Sequence, residues 1–423
     1  MSRIRTLVFP CGAEAASEIA QALGRSVHVE LYGASSRDDH GRHQFKRYAV
    51  VPNIADAEFD RCFAEQLERW GIELIFATHD TVLEYLAPRA AQWNVRLVNG
   101  DPRSTRITRR KSETYSLFEG EPWMPRWYRD LSAVERWPVL LKPDRGQGGQ
   151  GVTLAHNRAE AKAALARLDE PVICEYLPGE ELTVDCFTDW RRRLVHVGPR
   201  TRERVVGGIT MRSHPRPCSD DIQHIAQCIN DRLLLRGPWF FQLKADTVGT
   251  WKLLEVSCRL STGSVLQRAA GANLSLMAVQ DHLLRDLQVL ADPRLVLVER
   301  RIVSIAEFAY SFDTAYLDFD DTLICSGAAN PQAMRFVYRL VEMGKRLVLV
   351  TRHAGDVCET LRAMRISESL FDEIVHLRNG EPKSSCIRKP AIFVDNHFPE
   401  RLEVSRHCGI PVFDVDAIEL LFP

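Results

Sequence analysis

Three short apolar segments near the carboxyl end of the chain each lead directly into a polar residue, and this pattern constrains the fold most. The segments are residues 315–317 before Asp318-Phe319-Asp320, residues 347–350 before Thr351, and residues 391–394 before Asp395. Apolar runs of this length are typical of buried strands. A short acidic run alone is usually a solvated loop, but side chains at three strand ends are predicted to project from one edge of a sheet.

These residues, together with Lys383 in the polar loop before the third segment, resemble the haloacid-dehalogenase-like (HAD) phosphatase superfamily over residues 314–423. The resemblance implies that Asp318 attacks phosphorus and forms an aspartyl-phosphate. It also implies that Asp320 protonates the leaving alcohol and later activates water. Thr351 and Lys383 would neutralise the phosphoryl oxygens.

The same resemblance implies a Mg²⁺ site, with Mn²⁺ as the alternative ion, because hard divalent cations prefer oxygen ligands. The implied ligands are the carboxylates of Asp318 and Asp395 and the main-chain carbonyl of Asp320. The superfamily often has a second acid just after the position of Asp395, whereas this chain has Asn396, and the nearest later carboxylate is Glu400. The segments between the polar positions are too short for a large cap domain, so an open site is expected.

A second pattern lies in the middle of the chain, where a predicted strand at residues 138–143 contains Lys142 and leads into a glycine-rich loop. The loop glycines are Gly146, Gly148, Gly149 and Gly151. Glycines let backbone amides close over phosphate oxygens, and a lysine adds a point charge. Such a loop alone is often a flexible hairpin, and it is not a Walker A motif because no G-K-[ST] follows.

Two further blocks follow the glycine loop along the chain. Residues 172–185 predict a strand, a turn and a strand, and residues 240–259 predict two strands around a turn at Gly249. In this order the blocks resemble the ATP-grasp superfamily over residues 1–301, and especially its carboxylate–amine ligases and carbamoyl-phosphate-synthase-like members. The resemblance implies phosphoryl transfer from ATP to a substrate carboxylate, followed by displacement of phosphate by an amine.

The ATP-grasp resemblance implies roles for single residues of this sequence. For ATP, the implied contacts are Lys111 and Lys142 beneath the glycine loop, Cys174, Glu175 and Leu177 at the adenine, and Glu181 at the ribose. For Mg²⁺ and the phosphoryl group, they are Gln242, Glu255 and Ser257 as ligands and Arg259 as the facing cation. The chain departs from the superfamily at Ser257, where Asn is common, and at Cys174, where Glu is usual.

The first hundred residues alternate predicted strands and helices, including a helix at 59–70 and a strand at 74–77. That strand ends at Thr78-His79-Asp80, for which a cleft residue and a capped helix start are both open interpretations. The predicted fold class is α/β and α+β with several domains. They are a Rossmann-like pre-ATP-grasp domain (1–100), an ATP-grasp domain (101–303) and a capless HAD-like Rossmannoid domain (314–423).

The composition is that of an ordinary globular chain, 45% hydrophobic and 26% charged, with a formal net charge of −1. Neutral charge and the lack of a basic tract argue against nucleic-acid binding. Eleven cysteines without a C-x-x-C pair argue against a zinc site or disulfide framework, and most are expected to be buried thiols. No window approaches the ~20 apolar residues of a membrane span, so a cytoplasmic protein without a membrane partner is expected.

These patterns predict a bifunctional enzyme that joins a carboxylate–amine ligase to a phosphatase acting on a related phosphorylated small molecule. Arg200, Arg202, Arg204 and Arg212 would together favour an anionic substrate, although a charge run is usually a solvated face. Two alternatives remain open, nucleic-acid end processing and a regulatory or binding protein with degenerate sites. Small-molecule carboxylates and amines are the expected partners, and a homo-oligomer is left open.

Overall fold

The computed structural model describes residues 3–146 and 148–421. The chain divides into two compact units, Met1–Arg301 and Ile302–Pro423. Both units mix helices and strands, which confirms the predicted α/β character. The predicted terminal domains and the glycine loop include residues 1, 2, 147, 422 and 423, which lie outside the described residues. No helix within the described ranges is long and apolar enough to cross a membrane.

The first unit contains both the strand–helix alternation and the glycine loop. Its strands are β1 (Ile4–Phe9), β2 (Val29–Ser35), β3 (Arg47–Val50), β4 (Leu74–Ala77), β5 (Arg96–Leu97), β6 (Trp127–Tyr128), β7 (Val139–Pro143), β8 (Thr153–Ala155), β9 (Pro171–Glu175), β10 (Glu181–Thr188), β11 (Leu194–Thr201), β12 (Arg204–Val206), β13 (Ile209–Ser213), β14 (Gly237–Ala245), β15 (Trp251–Ser257) and β16 (Val298–Glu299). Its helices are α1 (Glu14–Leu23), α2 (Gly41–Gln44), α3 (Phe59–Trp70), α4 (Asp80–Leu86), α5 (Pro102–Arg109), α6 (Lys111–Leu117), α7 (Arg158–Leu165), α8 (Asp220–Arg232), α9 (Val265–Ala269) and α10 (Leu274–His282).

A five-stranded parallel sheet opens this unit, in the order β3-β2-β1-β4-β5. Helix α3 has the bounds predicted from sequence, and it buries Phe59, Phe63 and Leu67, which recur every four residues along one side. Strand β2 begins at Val29, and Val27 just before it is 72% exposed.

Two antiparallel sheets follow, in the orders β6-β9-β7-β8 and β11-β10-β14-β15, together with a small sheet, β12-β13-β16. Strand β10 shows which face of the sheet β11-β10-β14-β15 packs against the core. Its residues Leu182, Val184 and Cys186 belong to the main hydrophobic core. Because successive strand residues point to opposite faces, Thr183 and Asp185 lie on the other, polar face.

The second unit is built around a single parallel sheet. Its strands are β17 (Thr314–Leu317), β18 (Ile324–Cys325), β19 (Ala328–Ala329), β20 (Arg346–Thr351), β21 (Glu373–His376), β22 (Ala391–Val394) and β23 (Val412–Phe413). Its helices are α11 (Pro331–Glu342), α12 (Val357–Ala363), α13 (Phe398–Cys408) and α14 (Ile418–Leu421). The five-stranded sheet has the order β21-β20-β17-β22-β23, and all of its pairs are parallel.

Strand β17 is central in this sheet, between β20 and β22. The carboxyl ends of these three strands therefore meet at one edge, as the sequence pattern predicted. Between β17 and β20 the described chain forms only the β18–β19 hairpin and α11, so no large cap interrupts that stretch.

The cysteines correct one expectation. All eleven are free, but only Cys11, Cys174, Cys186, Cys258 and Cys408 are buried, and Cys218 is exposed. The interpretation of most of them as buried thiols is therefore wrong, because the remaining five are partly exposed, on helices and on the short strand β18.

Two candidate active sites

In the second unit, a buried lysine forms ion pairs with the carboxylates at the edge of the sheet. Lys383 follows β21 at the start of a short 3₁₀ helix, Lys383–Cys386, and is only 2% exposed. Its Nζ lies 2.6 Å from Asp318 Oδ1 and 2.7 Å from Asp395 Oδ2, and it also contacts the carboxylate of Glu400. Burial raises the pKa of Asp318 to about 6, even though the positive charge of Lys383 acts in the opposite direction.

The three carboxylates around Lys383 form a candidate cation site. One oxygen from each of Asp318, Asp395 and Glu400 lies within 4.8 Å of the others. Glu400 enters this group because it lies in the first turn of α13, directly beyond β22. Asn396 directly follows Asp395, and its side-chain oxygen accepts a hydrogen bond from Thr322 Oγ1 at 3.4 Å. Three converging carboxylates fit a hard divalent cation such as Mg²⁺.

The Asp320 side chain lies apart from this cluster and is paired with a histidine that the sequence did not indicate. His353 Nδ1 is 2.9 Å from Asp320 Oδ1, and His353 Nε2 is 2.9 Å from Thr360 Oγ1. Thr351 is fully buried, and its Oγ1 accepts the backbone N–H of His353 at 3.0 Å, which leaves its own hydrogen for an anion. The spacing of two residues from Thr351 was the one signal that could have indicated His353.

A groove of about 650 Å³ opens beside this histidine. Its charged and imidazole walls come from Arg352 and His353 after β20 and from His376 and Arg378 at the end of β21. Half of the Asp320 side chain is exposed, at 49%. A substrate could therefore reach Asp320 without a cap having to open.

Lys383 is predicted to hold the three carboxylates together when no cation is bound. Replacing it in a Lys383→Met variant leaves buried like charges unpaired, so unfolding in EDTA should become easier by about 3–5 kcal/mol. Added Mg²⁺ should restore more stability in this variant than in the wild type, because the ion no longer competes with an ammonium group. Calorimetric melting with and without Mg²⁺ measures both effects.

The control for this experiment is Lys389→Met, which removes an exposed lysine of the same unit. Its melting curve should follow the wild type in both buffers. Equal Mg²⁺ responses in Lys383→Met and the wild type would contradict the assignment of the cluster as a cation site.

In the first unit, two predicted lysines sit beneath the glycine loop. Lys111 Nζ contacts the carbonyls of Gly146 at 3.4 Å and Asp144 at 3.5 Å. Lys142 is 5% exposed, and its Nζ lies 2.7 Å from Tyr115 Oη and 3.4 Å from the Leu254 carbonyl. Burial lowers the pKa of Lys111. Neither lysine forms an ion pair within 4 Å among the described residues, and the groups that contact the two ammonium groups directly are carbonyls and a tyrosine hydroxyl. The negative charge of Glu255 acts on both lysines from further away and favours their charged forms.

The glycine loop adopts the conformation for which glycine is needed. Gly148, Gly149 and Gly151 have φ values of 62°, 74° and 72°, in the left-handed region that costs other residues roughly 1–2 kcal/mol. A Cβ at Gly149 would meet no atom within 4 Å, so there the backbone conformation alone sets the cost.

Gly149→Ala is therefore expected to disturb the loop without a steric clash. The ATP KM should rise about tenfold, because ~1–2 kcal/mol of strain must be overcome to hold the loop in place. The matched control is Gly120→Ala, since Gly120 has a φ of 91° and also has open space around its Cβ position. An equal rise of the ATP KM in both variants would contradict a phosphate-binding role for the loop.

Three residues are predicted for the adenine hinge, Cys174, Glu175 and Leu177. Cys174 lies inside β9, opposite Trp127 of β6 on one side and Leu140 of β7 on the other. Its contact with adenine stays a prediction. Glu175 ends the strand, and its carboxylate accepts the Arg126 N–H at 2.9 Å. Leu177 follows the strand and stays a prediction for the hinge.

Glu181, the predicted ribose ligand, begins β10 between two cations. Its carboxylate lies 2.7 Å from Arg202 Nε and 3.5 Å from Lys244 Nζ. Arg202 is the one arginine of the predicted anionic-substrate group that reaches this carboxylate. These pairs hold the Glu181 side chain on the polar face of the sheet, because Lys244 lies directly opposite it on β14.

The predicted metal ligands Gln242 and Glu255 lie directly opposite each other on β14 and β15. Opposed residues of an antiparallel pair share a face and have Cβ atoms about 5 Å apart. Their oxygens therefore fit a shared divalent cation. Ser257 is two residues beyond Glu255, but its Oγ donates to Asp80 at 2.6 Å. Its role as a further ligand stays a prediction.

Asp80 also binds Arg259, and it is the main residue of this site that the sequence left undecided. Arg259 Nε donates to Asp80 Oδ2 at 2.9 Å, and the guanidinium lies over the Phe240 ring at 5.3 Å. Burial acts to raise the pKa of Asp80, but Arg259 and Ser257 outweigh it and hold the pKa below its usual value. His79 caps α4 through the Thr81 N–H, so the capped-helix interpretation is confirmed for His79.

Comparison with known proteins shows what the first unit is similar to in fold. The family described as "ATP-grasp in the biosynthetic pathway with Ter operon" matches residues 167–302. The L-amino acid ligase of Bacillus licheniformis superimposes with a TM-score of 0.54 at 16% identity, covering 68% of this chain and 75% of that one. The N5-carboxyaminoimidazole synthetase of Staphylococcus aureus, solved with ADP, superimposes with a TM-score of 0.56 at 12% identity. That match covers 69% of this chain and 79% of the synthetase. The ATP-grasp fold is thereby shown.

A curated relative matches with higher sequence identity, but over a shorter stretch of chain. The D-alanine–D-alanine ligase of Fusobacterium nucleatum is 42% identical over 60 residues, which are 14% of this chain. The match spans 21% of that ligase, about a fifth of its length. The ATP-grasp part of the predicted resemblance is thus confirmed, and the HAD-like part stays a prediction.

Proposed function

We propose that the first unit is an ATP- and Mg²⁺-dependent carboxylate–amine ligase. The carrying observation is the pair of lysines, Lys111 and Lys142, which are held beneath a left-handed glycine loop without an ion pair among the described residues. A buried cation such as Lys142, with the partly exposed Lys111 beside the same loop, favours an anionic partner, and a polyphosphate supplies one. The relatives with this fold include ligases and an enzyme solved with ADP, which supports the same assignment.

The proposed reaction has two steps. A carboxylate oxygen of the acid substrate attacks the γ-phosphorus of ATP, the bond to the β-phosphate oxygen breaks, and ADP leaves. The amine nitrogen then attacks the acyl carbon, and phosphate leaves as the amide forms and the amine loses a proton. Gln242 and Glu255 would hold Mg²⁺, which offsets phosphate charge when bound. Arg259 and both lysines stabilise the transferring group.

Carboxylate activation can be tested without knowing the amine. The protein is incubated with Mg-ATP, a pool of the twenty L-amino acids and hydroxylamine, which traps an acyl-phosphate as a coloured hydroxamate. ADP and hydroxamate in equal amounts are expected. AMP with pyrophosphate would contradict the acyl-phosphate route, and no nucleotide turnover would favour the regulatory or binding alternative.

For the second unit we propose a Mg²⁺-dependent phosphatase that acts on a phosphorylated small molecule related to the ligase reaction. The carrying observation is Lys383 held between the carboxylates of Asp318, Asp395 and Glu400. Asp318 attacks phosphorus, the ester oxygen leaves with a proton from Asp320, and water then cleaves the aspartyl-phosphate. His353 orients Asp320 for both proton transfers.

The phosphatase is tested with p-nitrophenyl phosphate, which needs no knowledge of the natural substrate. Mg²⁺-dependent release of nitrophenol is expected, and EDTA should abolish it. A 3′- or 5′-phosphorylated oligonucleotide serves as the comparison substrate. Faster turnover of the oligonucleotide would favour nucleic-acid end processing instead.

A further inference from the structure

One row of side chains crosses the polar face of the sheet β11-β10-β14-β15. Arg200 lies opposite Thr183, Thr183 lies opposite Gln242, and Gln242 lies opposite Glu255. Directly opposed residues of antiparallel strands share a face, so all four side chains project to the same side. Two of them are the proposed metal ligands. Thr183 on β10 has so far been given no role, and Arg200 on β11 only that of one of four arginines expected to favour an anionic substrate.

Three polar atoms at that end of the row are buried and have no hydrogen-bond partner among the described residues: Thr183 Oγ1, Arg200 Nη1 and Ser264 Oγ. The three residues are 1%, 2% and 3% exposed. A buried donor without a partner costs about 1–3 kcal/mol, so such atoms are rare unless a ligand or water meets them. Thr183 lies directly between Arg200 and the proposed metal ligand Gln242 in the row. Ser264 follows Gly263, which packs against the Arg200 guanidinium.

Arg200 is fixed in place by the rest of its guanidinium. Its Nε donates to Asp185 Oδ2 at 2.7 Å, and its Nη2 donates to Ser261 Oγ at 3.2 Å. Gly263 packs so close to the guanidinium that a Cβ there would collide with it. This contact brings Ser264 beside Arg200. The remaining nitrogen, Nη1, has no hydrogen-bond partner among the described residues.

We propose that Arg200 Nη1, Thr183 Oγ1 and Ser264 Oγ form the subsite that binds the carboxylate of the acid substrate. The inference rests on the proposed ligase activity. An arginine N–H is a donor only, and each hydroxyl can donate, so the three atoms together suit an anionic oxygen pair rather than an amine. Adjacent strands are about 4.8 Å apart, so Thr183 places the bound group one strand from Gln242 and the metal.

The test uses the two hydroxyls, because truncating Arg200 would leave Asp185 buried without its partner. Thr183→Val and Ser264→Ala each remove a hydroxyl that bonds to no described group, so folding should be unaffected. In the hydroxamate assay, the KM for the activated amino acid should rise about tenfold or more in each variant. The ATP KM should stay within about twofold.

Thr210→Val is the matched control, since Thr210 Oγ1 is also buried and unpartnered but lies on β13, outside the row. Its KM values should equal those of the wild type. Unchanged amino-acid KM values in Thr183→Val and Ser264→Ala would overturn the subsite and indicate ordered water instead. An equal rise in Thr210→Val would overturn it as well. If the wild type forms no hydroxamate, the proposed ligase function fails and the subsite fails with it.

Discussion

An Asp318→Asn variant is expected to lose Mg²⁺-dependent hydrolysis of p-nitrophenyl phosphate by about 10⁴-fold or more, because an amide cannot act as the nucleophile. Asp318 lies at the end of the central strand β17, with Oδ1 held 2.6 Å from Lys383. Lys383 keeps Asp395 and Glu400 as partners in the variant, so the fold should survive. Initial rates with and without Mg²⁺ measure the loss.

The matched control is Asp321→Asn, three residues further along the chain. Asp321 is exposed and has a φ of 55°, a left-handed conformation that Asn tolerates well. This variant should retain full phosphatase activity. Hydroxamate formation should be unchanged in both variants, because the ligase chemistry uses residues of the first unit. A residual activity above about one per cent in Asp318→Asn would contradict nucleophilic catalysis by Asp318.

An Arg259→Lys variant is expected to lower the rate of ATP-dependent hydroxamate formation by about 10²–10³-fold, with the ATP KM near its wild-type value. Arg259 uses Nε for Asp80 while its guanidinium stacks over Phe240. A lysine ammonium can meet Asp80, but it then has no second, planar set of donors for the transferring phosphoryl group. Steady-state kinetics separate the rate from the KM.

Arg268→Lys provides the control, because Arg268 forms a similar pair with Glu18 at 2.7 and 2.9 Å, away from the proposed site. Its kinetics should match the wild type. Asp80→Asn should lower the rate in the same direction as Arg259→Lys, and the double variant should be less impaired than the product of the two single effects. Fully multiplicative effects would show that Asp80 does not act through Arg259.

The strand-end residues could be predicted from sequence because their signal is local. Asp318, Thr351 and Asp395 each follow an apolar strand, and parallel pairing then brings strand ends together. Glu400 and His353 were harder to predict, because neither lies at a strand end. Glu400 reaches the carboxylate cluster from the start of α13 after β22, and His353 reaches Asp320 from the turn after β20. Asp80 shows the limit most clearly, because its partner Ser257 is 177 residues away and only tertiary packing brings them together.

Some groups of the candidate site could not be predicted from the sequence. The buried hydroxyls of Thr183 and Ser264 had no sequence signal, because a threonine in a strand and a serine in a loop are ordinary. What distinguishes them is a missing partner, which only a folded structure can reveal.

The row across the polar sheet has a further consequence for how substrate choice could change. Strands β10 and β11 form one hairpin that carries Thr183 and Arg200, while β14 and β15 form another that carries Gln242 and Glu255. Two of the three groups of the proposed carboxylate subsite thus lie in one hairpin and the proposed metal ligands lie in the other, while Ser264 lies outside both. Exchanging residues 182–201, which keeps Glu181 in place, should change which acid the enzyme accepts while both proposed metal ligands stay unchanged.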